Sequence, residues 1–501
     1  MKRIATVAAS ALALAAPAVA ATDPSPGYSA LAPVAAIDER FQSYNVEMVE
    51  VTGGRFWAPY GGPPGEVYRM RPPTDLADPK LRALARHLGP AYLRVSGTWA
   101  NSTYLEARGE RLAKPPPGFN QLLTRGQWRG VVAFAKSADA RIVTSFPASP
   151  GARGSDGSWD PEQAQRLVEL TREAGGSIYG AELFNEPTMP QHGAFPAGYS
   201  AADYGRDFRI FAAWARKAAP EMKLTGPGGT AEGTMLKHGS GGGPGGLSSD
   251  ELMQQNPGSL DIVSYHHYGA VSLRCGKMPL GAADMALSAE WLAQTGLDFA
   301  HYASLRDRYE AGKPLWLNET AQAACGGSPW ASTFRDSFRY LNQLGVLAQK
   351  GVAVVAHNTL AASDYGLIDR DTLVPRPNYW AAVLWRRTMG TTVLAAPQSP
   401  SPDLRLYAHC LRGVPGGVGL LALNTGAAAQ SLGVGRRALG WTMTGQPLDT
   451  RAVTINRRVP GLGAKGNLTG LAGLPVRGRL AIPGQSIAFV AVRDANNPAC
   501  R

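Results

Sequence analysis

The chain has 501 residues and a formal net charge of +12, and glycine plus proline account for 97 positions. That share falls below the roughly 25–30% of low-complexity chains, and the length suits one large domain joined to a smaller one. Such a positive excess attracts polyanions, but no Lys/Arg run exceeds two residues and no basic stripe is interleaved with aromatics, which disfavours nucleic acid.

Lys2 and Arg3 precede an apolar stretch from Ile4 to Ala16, and Ala18-Val19-Ala20 supplies small residues for cleavage. Residues 1–20 therefore read as an export signal, too short for a membrane span, and no later segment is long enough to be one. A leader, 21–44, is expected to pack on a C-terminal β-domain. Short β-branched or aromatic runs then alternate with amphipathic stretches. Strands are expected at Val46–Val51, Tyr92–Ser96, Arg141–Phe146, Ile178–Phe184, Lys223–Thr225, Asp261–Tyr265, Pro314–Leu317 and Val352–Ala356. Helices are expected at Pro161–Ala174, Ala202–Ala219, Leu297–Ala311 and Thr333–Lys350. Eight such strands with interposed helices predict an α/β fold, a (β/α)8 TIM barrel over 45–389. The glycine-rich tract Gly239–Gly246 lacks the Lys-Ser/Thr of a phosphate loop and reads as a connection. From about Gly390 helical periodicity gives way to short strands, Leu404–Cys410, Val418–Asn424 and Ser486–Val492, predicting a β-sandwich over 390–501.

Reactive residues of such barrels sit at the C-terminal ends of the strands. Asn185-Glu186-Pro187 ends the fourth expected strand and Asn318-Glu319-Thr320 the seventh, so two carboxylates face each other across one mouth. One Asn-Glu-Pro alone reads as a strand cap; the pair reads as a retaining glycosidase, with Glu319 as nucleophile and Glu186 as general acid/base. In such a pair the charge of one carboxylate keeps a proton on the other until the covalent intermediate removes that charge. Asn185 is placed to bond the sugar 2-hydroxyl. Tyr265-His266-His267-Tyr268 ends the sixth strand, and alternation sends His266 and Tyr268 to one side. They either orient Glu319 and contact sugar hydroxyls or form a packed aromatic cluster. Adjacent histidines facing opposite ways make a poor metal site, and no metal or cofactor is expected.

At these residues the sequence resembles heparanase and its bacterial relatives, the β-glucuronidases of glycoside hydrolase family 79. The resemblance rests on Gly89–Arg94 with Gly97-Thr98, Glu182–Pro187, Tyr265–Tyr268, Trp316–Thr320, Asp364–Leu367 with Pro377–Trp380, and Leu406–Cys410 with Ala499–Arg501. It implies cleavage of β-glucuronide linkages in heparan sulfate or related chains. It also implies that main-chain amides at Cys325 and Gly326, with Tyr365, hold the glucuronate carboxylate, and that Glu47 and Thr98 contact the sugar. Two departures stand out. Ala324-Cys325 replaces an aromatic and a glycine after the nucleophile, and Thr230-Ala231-Glu232-Gly233 replaces a basic cluster after the fifth strand. No counterpart of the excised linker is evident, so no proteolytic activation is expected.

Four cysteines and an export signal permit disulfides. The resemblance favours Cys410–Cys500 in the β-domain; Cys275 and Cys325, following neighbouring strands, form a second expected pair at the active-site rim. The combined expectation is a secreted or periplasmic, monomeric, retaining endo-β-glucuronidase acting on an acidic glycosaminoglycan, without nucleic acid or membrane partners. The alternatives are an exo-β-glucuronidase and a non-catalytic acidic-glycan-binding protein.

Overall fold

The structure, a computed structural model, describes residues 27–63, 65–234, 246–275 and 283–501. The export signal expected at 1–20 and nearly all of the glycine-rich tract lie outside them. Eight parallel strands close a barrel: β1 (Gln42–Glu47), β2 (Ala91–Ser96), β3 (Ala140–Ser145), β4 (Ile178–Glu182), β5 (Lys223–Thr230), β6 (Ile262–Tyr268), β7 (Leu315–Ala321) and β8 (Val354–His357). Each is followed by a helix: α1 (Pro79–Arg86), α2 (Arg125–Ser137), α3 (Glu162–Glu173), α4 (Ala201–Ala218), α5 (Ser249–Gln254), α6 (Ala289–Tyr309), α7 (Phe334–Gln349) and α8 (Pro377–Thr388). Local sequence sets where these begin. Thr124 with Gln127 and Ser200 with Asp203 form capping boxes at α2 and α4, satisfying N–H groups that have no partner within the helix.

Several bounds differ from expectation for identifiable reasons. β1 lies earlier than Val46–Val51, because the Glu50 carboxylate accepts the Glu47 N–H at 2.7 Å and turns Met48–Thr52 into a short helix. β5 runs on through Gly226-Pro227-Gly228-Gly229, residues that ordinarily end a strand. β7 extends to Ala321, so Glu319 sits inside the strand rather than at its end. α6 begins at Ala289, where Ser288 caps it, eight residues before the expected start.

The C-terminal part is one antiparallel sheet of β9 (Met389–Leu394), β10 (Leu404–Leu411), β11 (Val418–Asn424), β12 (Gln430–Thr444), β13 (Thr454–Ile455), β14 (Leu474–Ile482) and β15 (Ser486–Val492), with Pro33–Ala36 added beside β9. The 15-residue β12 pairs with β15 through Ala438–Met443 and with β14 from Gln430 to Gly440. Its first half therefore leaves the main ladder and folds over it. One face of β10, β11 and β15 packs with Leu432, Val434 and Ile482 in a separate core that includes Tyr28. The other face, through Tyr407, Leu421, Leu423 and Phe489, joins the core of the barrel and its helices. Burial on both faces explains why β11 and β15 are apolar from Val418 to Leu423 and from Ile487 to Val492.

Cys410 and Cys500 are bonded, as are Cys275 and Cys325. Replacing both Cys410 and Cys500 by serine reopens a loop of 90 residues. That change should lower unfolding stability by about 2–5 kcal/mol, read as an earlier denaturant midpoint with the barrel still folded.

Candidate active site

The site is assembled around a charge that an apolar strand carries inward. Arg94, in the middle of β2, is only 2% exposed. Its Nε and Nη2 donate to Glu182 Oε2 at 3.1 and 2.8 Å, and Nη1 donates to Glu319 Oε2 at 2.6 Å. Nη2 also reaches Asn185 Oδ1 at 2.8 Å. Glu182 Oε1 accepts from Ser264 Oγ and Asn318 Nδ2 at 2.8 and 2.7 Å. Burial alone would favour a neutral carboxyl, but the Arg94 and His266 charges and these donors hold Glu182 below the usual carboxylate range.

Glu319 receives two further contacts. Tyr268 OH donates to Oε1 at 2.6 Å, and His266 Nδ1 lies 3.8 Å from Oε2. Burial again opposes ionisation, but the His266 and Arg94 charges and the Tyr268 and Arg94 hydrogen bonds outweigh it and lower the Glu319 pKa. The result suits a nucleophile, which must be ionised.

Glu186 stands on the turn after β4 with φ of +47°, a backbone region unfavourable to non-glycine residues. Asn101 holds that turn: its Oδ1 accepts the Asn185 N–H at 2.9 Å and its Nδ2 donates to the Asn185 carbonyl at 2.8 Å. Thr230 Oγ1 donates to Glu186 Oε1 at 2.7 Å, and His266 Nδ1 lies 2.9 Å from the same oxygen. Arg94 Nη2 approaches His266 Nε2 at 3.3 Å. In the neutral ring that donor leaves the proton on Nδ1, and in the charged ring both nitrogens carry one. Nδ1 therefore donates to Glu186 in either state. Burial lowers the His266 pKa, but the Glu319 charge and the Glu186 bond prevail and raise it.

One carboxylate oxygen of Glu186, one of Glu319 and a nitrogen of His266 all lie within 4.8 Å of one another. Three such ligand atoms could surround a cation. However, Arg94 already brings a positive charge to Glu319, which opposes a second cation there.

Glu47 ends β1 and completes the floor. Asn358 Nδ2 donates to its Oε1 at 2.9 Å and lies 3.1 and 3.3 Å from the Tyr268 and Tyr365 hydroxyls. Burial, then the Glu319 charge, raises the Glu47 pKa well above its ordinary value. Its Oε2 is buried without a partner among the described residues. A side chain at Gly97 would put a Cβ 1.5 Å from that oxygen, so only glycine fits beside Glu47. Thr98 follows on the rim, half-buried. Cys325 and Gly326 lie after β7, both with positive φ, and buried Tyr365 lies after β8. Asn185, Glu186, Glu319, His266, Tyr268 and Glu47 thus form one connected network, with Tyr365 joined through Asn358. Cys325 and Gly326 form the rim beside it. His267 points outward to Asp298 of α6, whose Oδ2 is 2.5 Å from Nδ1.

Sequence reasoning passed over Arg94, Glu182, Asn101, Thr230 and Asn358 as site residues. Arg94 and Glu182 carried a signal, each a lone charge in an apolar run, between Leu93 and Val95 and between Ala181 and Leu183.

No family model matches the chain. Among curated proteins it is similar to heparanase-like protein 1 of Arabidopsis thaliana, 28% identical over 370 residues, 70% of this chain and 64% of that protein. It is 26% identical to Mus musculus heparanase over 500 residues, covering 85% of this chain and 88% of the relative. The hyaluronoglucuronidase of Hirudo nipponia is 24% identical over 490 residues, covering 85% and 92%. Among solved structures, a GH51 α-L-arabinofuranosidase from Thermotoga petrophila superimposes with a TM-score of 0.63 at 13% identity, covering 92% and 98%. A 4-O-α-L-rhamnosyl-β-D-glucuronidase from Fusarium oxysporum gives 0.61, also at 13%, covering 93% and 98%. At that identity these two speak for the fold alone.

Two tests follow from the network. Arg94→Met leaves Glu182 and Glu319 without their shared cation and should cost about 3–5 kcal/mol in denaturant unfolding. Tyr268→Phe removes a donor from ionised Glu319, so its depressed pKa should rise. Activity that depends on the ionised carboxylate is lost as pH falls through that pKa. The acid limb of the pH profile of kcat/KM should therefore move to higher pH in the variant.

Proposed function

We propose that this chain, a heparanase-like glycoside hydrolase of family 79, is a secreted or periplasmic retaining β-glucuronidase acting within acidic glycosaminoglycan chains such as heparan sulfate. The observation that carries the mechanism is the approach of Glu186 and Glu319, one oxygen of each within 4.8 Å of the other. Retaining glycosidases hold their carboxyls about 5–5.5 Å apart, and inverting ones about 6.5–9.5 Å. A Glu319 oxygen attacks the anomeric carbon while Glu186 gives its proton to the departing glycosidic oxygen, forming a covalent glycosyl ester. Glu186, now ionised, takes a proton from the water that opens the ester. Both donors to Glu186 use Oε1, which leaves Oε2 for these transfers. Arg94, which can only donate, fixes Asn185 with Oδ1 toward the guanidinium, so that its amide nitrogen is the end left for a sugar hydroxyl.

The names of the heparanase and hyaluronoglucuronidase relatives support a uronic-acid polymer as substrate. The net charge of +12 supports it independently, since a long polyanion engages several cations at once. Export is supported by the composition of residues 1–20 and by two disulfides, which persist in oxidising compartments.

An exo-acting β-glucuronidase is a second reading, favoured by one contact. The Arg274 guanidinium lies 3.9 Å over the Tyr60 ring, joining the loops after β6 and β1 across the ends of β7 and β8, on the side of the mouth opposite β4. A wall there would stop a chain from running past the reacting sugar.

Glu186→Gln, with unchanged melting, and Glu319→Gln, with some loss of stability because Arg94 loses a charged partner, should each lower kcat by about 100- to 10,000-fold in the folded protein; turnover at the parent rate would overturn the assignment. A slowly released 2-fluoro-glucuronide should leave its mass on the Glu319 peptide. Digestion of heparan sulfate or hyaluronan should yield a range of oligosaccharides, whereas release of free glucuronic acid alone would replace the endo reading by the exo one.

A further inference from the structure

Cys325, Gly326 and Gly327 form three consecutive residues with positive φ, of 59°, 83° and 87°. Every carbonyl of this turn is engaged. Arg274 Nη1 donates to Cys325 O and Gly327 O at 3.2 and 2.9 Å, while Ser363 Oγ and the Asp364 N–H donate to Gly326 O at 2.9 and 3.2 Å. None of the three N–H groups of the turn donates to another group among the described residues. A run of backbone N–H groups left free in a largely buried turn is a binding place for an anion. The turn packs against the site: added Cβ atoms would meet Trp57 at Gly326 and Tyr365 at Gly327.

What holds the turn comes from four separate parts of the chain. Arg274 is 5% exposed and also donates through Nη2 to Asp364 Oδ2. The Tyr60 N–H reaches the same Asp364 oxygen at 3.1 Å, and Arg451, from the C-terminal sheet region, reaches Asp364 Oδ1 at 3.3 Å. Cys275, the neighbour of Arg274, is bonded to Cys325. Two cations thus surround one carboxylate behind the turn, leaving a net positive charge on its carbonyl side. A neutral turn of glycines would need no such backing. A turn whose free N–H groups must hold a carboxylate gains both shape and field from it.

We infer that Arg274, fastened by Asp364 and by the Cys275–Cys325 bond, is a positioning residue that gives this glycosidase its selectivity for a sugar carrying a carboxylate. Arg274 does not touch the substrate. It fixes the Cys325–Gly327 carbonyls so that the opposite N–H groups face the carboxylate, and Arg451 brings the C-terminal sheet into the same device. The inference rests on the β-glucuronidase reading and adds to it the residues that set the preference.

The test compares kcat/KM for an aryl β-glucuronide and the matching aryl β-glucoside, which lacks the carboxylate. Arg274→Gln should lower the glucuronide-to-glucoside ratio at least ten-fold, chiefly through KM for the glucuronide. Arg451→Gln, which alters a partly exposed side chain, should lower it about three-fold with unchanged melting. An equal loss on both substrates would mean that Arg274 serves only the fold, and the inference would fall. Should Arg274→Gln not fold, an unchanged ratio in Arg451→Gln overturns it just as firmly. If the parent enzyme turns over no β-glucuronide, the functional reading itself fails and takes the inference with it. A normal parent with an unaltered variant ratio removes the inference alone.

Discussion

A guanidinium in the interior of a barrel has to be met by carboxylates, and the rest of the site follows from how Arg94 is met. Desolvating an ion costs several kcal/mol unless geometry and further donors compensate. Arg94 is compensated by Glu182 on one side and Glu319 on the other, with Asn185 and His266 on the remaining edge. Two carboxylates around one cation leave a local negative charge, and the other donors spread it. Ser264 and Asn318 serve Glu182; Tyr268 serves Glu319. Glu319, the proposed nucleophile, is therefore held toward its ionised form by interactions that exist before any substrate arrives.

The same network distributes protonation among the remaining groups. Glu47 makes no ion pair among the described residues; burial and the field of Glu319 outweigh the Asn358 hydrogen bond and the more distant Arg94 charge and favour its protonated form. His266 lies between the two catalytic candidates, and its raised pKa reflects both. The pH consequences have opposite signs. Stability and order drawn from depressed Glu319 and Glu182 are present above their unfolded values and are lost as pH falls through the depressed ones. The contribution of His266 is complete below its ordinary value and fades as pH rises through the raised one. The electrostatic stabilisation of the site is thus greatest in the interval between the lowered carboxylate values and the raised imidazole value.

Legibility in the sequence divided along physical lines. Strand–helix alternation was readable because apolar runs and amphipathic stretches are local patterns, and Val418–Asn424 and Ser486–Val492 were located to the residue. Glu186, Glu319, His266 and Tyr268 were nameable because strand order places the C-terminal ends of their strands around one mouth. What could not be read depends on distant partners. Glycines and a proline in β5 are strand residues only because β6 pairs with them. Val49 and Val51 favour a strand, yet the Glu50 carboxylate at the Glu47 N–H makes their segment helical. Asn101 lies 84 positions from the Asn185 backbone it clamps, and Arg94 lies 225 from Glu319. No local pattern joins such pairs. Only the closure of the barrel brings them together.

The rim obeys a different logic from the floor. On the floor, side chains carry charge and the strands fix them. At the rim, the proposed recognising group is backbone, and backbone in loops has no intrinsic reason to hold still. The turn at Cys325–Gly327 is held by a covalent bond to Cys275, a bifurcated arginine and a buried aspartate that also gathers Tyr60 and Arg451. Such over-determination is needed because a residue like Cys325 at φ of +59° is unfavourable by itself. It also gives the C-terminal sheet a reason to be attached to a barrel that already contains both carboxylates. Through Arg451 the sheet stabilises the part of the mouth that the strands cannot reach.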